Sequence, residues 1–489
     1  MKIFNLSNGS NGSDNNSAKY LQLAGAIRHK IRNGTLISGD LLPSVKLLSE
    51  DLKINRHTVM KAFAELIAEG WIESQQRVGY KVALNIPIES SQHLDAIDEN
   101  TQQFEFRLIR SGMTLPTNPA NQFMYNFSGG QPDLTHFPFN EFKRHMSAAL
   151  SKPKHNQLSY GENEGVAELI EQVKIYLRKS RAITDREIII TNGSQEALFI
   201  IAQLLLQPGD KVAVEALGYP PAMSAFKNAG ADLVGIQQDA QGIVPTDLEA
   251  KIQQGNIRLI YLTPLHQYPT TITLPISRRM TIYQLAAKHR IPIIEDDYDH
   301  EFHYRCQPLA PMASQDPQQL VIYMSTFSKI MFPGARIGIL AVNKNLAKAV
   351  AEYRMMICHK GNVFMQMALA KWMQSGGFER HLRRMTRANM LRRDHAVACL
   401  QDYDCFEFGI PDGGMALWVK VVETKLKNTS LNTAELAKQA LELGVYMQHE
   451  KHYHTHPQHN RNNHLRIGYA GMTESQFSKG ITLIASLID

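Results

Sequence analysis

The chain has 489 residues, too many for a single compact core, so two or three domains are expected. Apolar residues make up 44% and charged residues 20%, which fits a globular protein and excludes a fibrous or low-complexity one. The net charge of +6 is too mild to make the whole surface a nucleic-acid ligand, so any such role must reside in a local patch.

The first 17 residues, MKIFNLSNGSNGSDNNS, are a polar leader without the apolar core of a signal peptide. Cys306, Cys358, Cys399 and Cys405 lack CxxC spacing, which argues against a disulfide framework or a zinc site and suits a reducing compartment. No run approaches the roughly 18 apolar residues that span a bilayer. A soluble, cytoplasmic protein is expected.

AKYLQLAGAIRHKIRNGTL (18–36) spaces its apolar residues as a helix does and stops at Gly34. LPSVKLLSEDL (42–52) reads as a second helix with Pro43-Ser44 as its start signal. In NRHTVMKAFAELIAEG (55–70), Asn55 is the N-cap, Val59, Phe63 and Leu66 form the inward stripe, and Gly70 ends the helix. WIESQQRVGYKVAL (71–84) alternates like a hairpin with Arg77 and Gly79 near its tip. Three helices and a hairpin in this order predict a winged helix-turn-helix over 18–86.

In such a module the start of the second helix of the pair reaches base edges. Those residues are Asn55, Arg56, His57 and Thr58, with Lys61 one turn on. Lys46 on the preceding helix, and Arg77, Gly79 and Lys81 on the wing, suit phosphates or a minor groove. A solvated face of a small helical domain is the other reading of the same periodicity. LPSVKLLSEDLKINRHTVMKAFAELIAEGWI closely resembles the GntR winged-helix family, and the resemblance covers nearly all of 18–84. It implies binding to a double-stranded DNA operator. Lys46 stands where many relatives carry arginine; a phosphate contact survives that change, whereas bidentate guanine reading is weakened.

Residues 87–124 are rich in Ser, Gln, Asn, Asp and Pro, with one short helical pattern at TQQFEFRLIR, and read as a linker. Beyond it, EIIITN, DKVAVEA, RLIYLTP, IPIIEDD, LVIYMST and RIGILAV are strand-like runs, several separated by long helical segments. The alternation predicts an α/β domain with a large, mostly parallel sheet over 125–374. Residues 375–489 lack a comparable series and read as a smaller C-terminal lobe.

Three stretches carry chemistry. TNGSQEAL (191–198) sets Gly193, Ser194 and Gln195 between a strand and a helix, where backbone N–H groups form an anion site; many strand-to-helix turns look alike. IIEDDYDHEF (293–302) places acids at the end of a buried strand, at the usual ligand crevice of such sheets. Solvated acids or a metal site involving His300 and His303 compete with that reading. STFSKIMFPGARIG (325–338) brings Thr326, Ser328, Lys329 and Arg336 together, and alone its lysine reads as a surface charge.

Taken in chain order, these pieces resemble the fold-type I aminotransferases that use pyridoxal 5′-phosphate (PLP). Joined to the winged helix, they resemble the MocR/GabR type of GntR regulators from about residue 18 to the end. The resemblance implies a Schiff base at Lys329, Asp296 on the pyridinium nitrogen, Tyr298 on the ring oxygen and Tyr219 stacked on the ring. It places the phosphate among Gly193, Ser194, Gln195, Thr326, Ser328 and Arg336. Tyr160 in SYGENEG would reach the neighbouring subunit's phosphate in a homodimer. Arg466 in HLRIGYA would hold a substrate carboxylate, and Gly130 in NFSGG would line the pocket mouth.

Two features depart from ordinary aminotransferases. Tyr268 and Thr271 in HQYPTT occupy the places of the asparagine and glycine of the family's NPTG turn. HEKHYHTHPQHNRNNH (449–464) carries His449, His452, His454, His456, His459 and His464, which reads as a polar loop near the pocket, a metal ligand set or a pH sensor. The expected function is a regulator that senses a small amine or amino acid through PLP. A working transaminase with an appended DNA module is the alternative, and an inert enzyme-like scaffold is a third.

Overall fold

The computed structural model describes residues 18–75, 78–85, 123–161, 163–304, 309–422, 432–456 and 463–488. The polar leader, Arg77, Cys306, His459 and nearly all of the expected linker, with its TQQFEFRLIR helix, lie outside the described residues. The chain divides into two units, 1–111 and 112–489.

In the first unit, helices α1 (Lys19–Arg32), α2 (Val45–Asp51) and α3 (Arg56–Ala68) precede a hairpin of β1 (Ile72–Gln75) and β2 (Gly79–Val82). Ser44 caps α2 by accepting from the Leu47 N–H, and Asn55 caps α3 by accepting from the His57 N–H. Leu23, Ile27, Val59, Phe63, Leu66 and Trp71 close a shared core. The second helix starts three residues later than its apolar pattern suggests. Pro43 disfavours a helical conformation in the residue before it, and Leu42 N–H bonds the Tyr80 carbonyl of the hairpin at 2.8 Å instead.

The second unit is organised by a seven-stranded sheet. Its order is Glu187–Thr191, Gly338–Val342, Val321–Thr326, Ile293–Asp297, Ile257–Leu262, Lys211–Glu215 and Asp232–Ile236. All neighbours are parallel except Gly338–Val342, which runs antiparallel to both of its own. Side chains alternate between two helical layers, as the strand period of two requires. Ile188 and Ile190 pack with Leu169, Ile282 and Trp372, while Ile189 packs with Leu198, Phe226 and Val350.

The smaller lobe holds an antiparallel sheet in the order Phe406–Phe408, Ala416–Val421, His464–Gly468, Gln448–His449. Helices Gly377–Gln401, Thr433–Glu442 and Glu474–Ile488 supply side chains to its core. Strand Tyr125–Asn126 pairs with Val445–Tyr446, and Phe127 meets Phe477 at 5.3 Å between ring centroids. Residues 125–127 are thus built into the smaller lobe, although sequence order places them at the start of the large domain. Among the described residues no helix is long and apolar enough to cross a membrane.

Candidate cofactor, ligand and DNA sites

Strand ends, strand-to-helix turns and the smaller lobe together line a cavity of about 390 Å³. Asp296 and Asp297 are adjacent on one strand and therefore serve opposite faces. Asp297 is tied up structurally: Arg181 lies at 3.3 Å, His300 at 3.0 Å, and Tyr323 donates its hydroxyl at 2.6 Å. Although burial opposes it, this company, His300 foremost, holds the Asp297 carboxyl well below the usual range. Asp296 lines the cavity. Tyr261 donates to its Oδ2 at 2.8 Å, while its buried Oδ1 has no protein partner. Burial pushes this carboxyl up to about 7.

Lys329 follows the strand Val321–Thr326 in a short helical turn, and its Nζ donates to the Gly130 carbonyl at 2.7 Å. Loss of hydration, and secondarily the nearby Arg466 charge, lowers the amine to about 8. Gly130 has φ +69°, and a Cβ there would stand 2.9 Å from Lys329 Nζ. Next to it, Gly129 (φ +75°) leaves room for Arg466, whose Nη1 would lie 2.0 Å from a Cβ. Arg466 is buried; it donates to the Ser128 carbonyl at 3.2 Å, its Nε has no protein partner, and it sits 4.4 Å from the Tyr268 ring. The two glycines are spacing devices for two cations.

An anion cup occupies another wall. Gly193 (φ +86°) caps the helix Ser194–Leu205, and a Cβ there would press within 3.0 Å of the Arg336 guanidinium. Arg336 donates to the Asn192 carbonyl at 2.7 Å. Glu196 orders the same turn by accepting from Asn192 N–H at 2.6 Å and Asn192 Nδ2 at 2.9 Å. Ser194, Gln195, Thr326, Ser328 and Arg336 all face the cavity; the Gln195 side chain is anchored to the Pro221 carbonyl at 3.1 Å.

Tyr219 and Tyr298 also line the cavity. Tyr298 directs its hydroxyl to the His266 carbonyl at 3.0 Å. Tyr160 is absent from this wall; it is 77% exposed, with its ring 4.8 Å from His359. Gln131, Thr263 and Gln448 belong to the lining without having been singled out. Thr263 lies in a motif already quoted. His452 and Tyr453 lie in the histidine-rich stretch read as a polar loop near the pocket, and they do line it. Gln448, just before that stretch, gave no signal, because its place depends on a fold-back of the smaller lobe. Among the described residues no group of three or more His, Cys, Asp or Glu is placed to hold a metal.

On the first unit, Lys46, Asn55, Arg56, His57 and Lys61 are exposed and Thr58 is half-buried. Arg56 lies 3.9 Å from Glu50, Lys61 sits 4.3 Å from the Tyr20 ring, and Lys81 lies 3.6 Å from Glu73. Gly79 opens β2 with φ +122°.

The sequence profile described as "Aminotransferase class I and II" matches residues 124–484, most of the chain. The chain belongs to this family. Residues 19–82 match "Bacterial regulatory proteins, gntR family", so this family member carries a GntR module in front of its aminotransferase-like domain. Two regulators share both parts in outline. The probable rhizopine catabolism regulatory protein MocR of Rhizobium meliloti is 29% identical over 476 residues, covering 96% of this chain and 93% of its own. The pyridoxine biosynthesis transcriptional regulator PdxR of Corynebacterium glutamicum is 26% identical over 424 residues, covering 85% and 87%. Among solved structures, the kynurenine aminotransferase of Pyrococcus horikoshii, in complex with PMP, superimposes with a TM-score of 0.69 at 27% identity. It covers 76% of this chain and 91% of its own. This class I and II family member is a GntR-type transcriptional regulator of the MocR architecture, and its GntR module implies DNA binding.

Proposed function

We propose that this regulator holds PLP in the 390 Å³ cavity and senses a small amine or amino acid there, as a homodimer, to change how its winged helices engage an operator. The observation that carries the reading is the unpartnered, buried Asp296 Oδ1 in a cavity whose described lining holds one lysine, Lys329. A buried acceptor without a donor is costly, and a protonated pyridine nitrogen supplies that donor. The cup at Gly193, Ser194, Gln195, Thr326, Ser328 and Arg336 fits a phosphate by helix N-terminus, hydroxyls and guanidinium.

When bound, PLP supplies an aldehyde that condenses with primary amines and a ring that withdraws electrons. The protein's own residues do the rest. Lys329, lowered to about 8, keeps part of its amine neutral and nucleophilic near neutral pH. With PLP bound, Asp296 would hold a proton-bearing ring nitrogen and Tyr219 would cover the ring face, while Tyr298 supports the wall through His266. Arg466 offers a carboxylate its unpaired Nε and excludes water from it by burial. Tyr160, exposed and remote from its own cavity, suits a second subunit's phosphate. On the DNA side, Asn55, Arg56, His57 and Thr58, with Lys61 one turn on, would read bases, and Lys46 and the wing would hold phosphates.

A ligand can shift the DNA-binding arrangement only if it favours one arrangement over another. The test is an amine and amino-acid screen on purified protein with PLP, read by the visible band of the bound cofactor and by operator affinity at fixed salt. Lys329→Ala should abolish the covalent band and every ligand response while leaving unliganded DNA binding in place. Steady turnover of amino acid and 2-oxo acid at ordinary enzyme rates, on the order of 1 per second or more, would replace sensing with catalysis.

A further inference from the structure

The histidine-rich stretch is a strap, and its route gives it a role. Gln448–His449 pairs with His464–Gly468, setting Gln448 opposite Arg466. A helical turn follows at Glu450–Tyr453. The chain then lies along 215–218, the loop that leads into Tyr219. Gly218 N–H donates to the Tyr453 carbonyl at 2.9 Å, Thr455 N–H to the Ala216 carbonyl at 2.9 Å, and the Thr455 hydroxyl to the Glu215 carbonyl at 2.8 Å.

Several of its charged groups are structural. Buried Glu450 accepts from Asn463 N–H at 3.1 Å, His464 N–H at 3.2 Å and His464 Nδ1 at 2.9 Å, with His454 at 3.8 Å. The His464 ring stacks on Trp418 at 5.1 Å. What the strap turns to the cavity is Gln448, His452 and Tyr453.

The remaining charges of the lining are already assigned in the proposed reading. Its cations are Lys329, Arg336 and Arg466, and its one acid is Asp296. After cofactor and carboxylate are served, the described wall offers no cation for a second carboxylate and no anion for a side-chain ammonium. It offers neutral hydrogen-bonding groups. Gln448 Oε1 accepts from the Tyr453 hydroxyl at 2.9 Å, which leaves its amide nitrogen as the donor; it hydrogen-bonds the Tyr446 hydroxyl and keeps a second N–H for a ligand. His452 stands at the mouth; lost hydration lowers its pKa, and one ring nitrogen bonds the His449 backbone. In its neutral form the other nitrogen is an acceptor.

We propose that the strap Gln448–Thr455 is the effector-reading wall, and that the effector is an amino acid with one carboxylate and a side-chain carboxamide, bonded by Gln448 and His452. A carboxamide both accepts and donates, so it matches a donor beside an acceptor; an apolar side chain leaves both unpaired. This rests on the sensing reading above and adds the ligand class to it.

The test titrates PLP-loaded, full-length protein with L-glutamine, L-asparagine, L-glutamate, L-lysine and L-leucine, following the cofactor band and the thermal midpoint. L-glutamine or L-asparagine should half-saturate at a concentration roughly tenfold or more below the other three. Gln448→Leu and His452→Phe should each bring that preference over L-leucine towards unity. Equal or better binding of L-glutamate, L-lysine or L-leucine overturns the carboxamide assignment but leaves amine sensing standing. A preference untouched by both substitutions overturns the role of the strap. Silence from all five amino acids removes this proposal, and silence from simple amines as well removes the sensing reading beneath it.

Discussion

Lys46 and Lys61 of the winged helix stand in water, whereas Lys329 projects into a cavity it shares with Arg466 and Asp296. For the first two the aqueous surroundings keep each charge cheap, replaceable and screened. For Lys329 the surroundings alter the group itself, lowering its amine to about 8. The DNA face therefore works by the number of its charges, and the cavity by the placement of each one. Substitutions should separate the two regimes.

The largest effect is expected where placement is tightest. Gly129→Ala would put a Cβ 2.0 Å from Arg466 Nη1 at a backbone φ of +75°. Amino-acid affinity should fall roughly tenfold or more, as for a lost charge-assisted bond, while operator affinity without ligand stays unchanged. Titration calorimetry and a gel-shift assay on the same preparation check both halves.

The protonation of Lys329 comes next. Its folded pKa is lowered to about 8, below the ordinary lysine range, so the neutral fraction should rise from roughly one-tenth at pH 7 to about nine-tenths at pH 9. The rate at which added PLP attaches to cofactor-free protein should climb over that window and then flatten. The sign also applies to stability. Between pH 8 and the ordinary lysine range the unfolded chain binds more protons than the folded one at this site, so its contribution improves as pH rises. A rate that is flat from pH 7 to 9 would contradict the lowered amine.

The DNA face should respond by graded loss. Lys46→Ala should weaken binding several-fold across operator sequences and reduce the slope of log affinity against log salt by about 0.9. A change confined to one base position would move that residue from phosphate holding to base reading.

The smallest effect concerns strain. Thr271 occupies the glycine place of the family turn yet keeps φ +62°, a conformation hostile to a β-branched residue. Thr271→Gly should stabilise the second unit by about 1 kcal/mol, seen as a higher midpoint in chemical unfolding.

Much of this could be read from the chain because local signals coincided with burial. Asn55 and Ser44 announced helix starts, and the apolar runs ending at Thr191, Asp297 and Thr326 marked strands whose ends carry the cavity. The edge strand Asp232–Ile236 escaped because only Leu233 and Ile236 of its five residues are buried. The histidine-rich run was legible as a loop near the pocket, but Gln448 and the run's route escaped: no local pattern says that it will fold back onto residues 215–218. The pairing of Tyr125–Asn126 with Val445–Tyr446 spans the whole second unit and has no sequence signature.

That pairing has a mechanical corollary. Within the described chain, residues 123–130 come first after the connection from the winged helix. Two and four steps beyond Asn126 the same backbone presents the carbonyls of Ser128 to Arg466 and of Gly130 to Lys329. Those two hydrogen bonds tie the first described residues of the second unit to the two cations assigned to the proposed ligand. In the proposed reading, a ligand that draws Lys329 or Arg466 away breaks a hydrogen bond to Gly130 or Ser128, only a few residues from the first described residue after the connection.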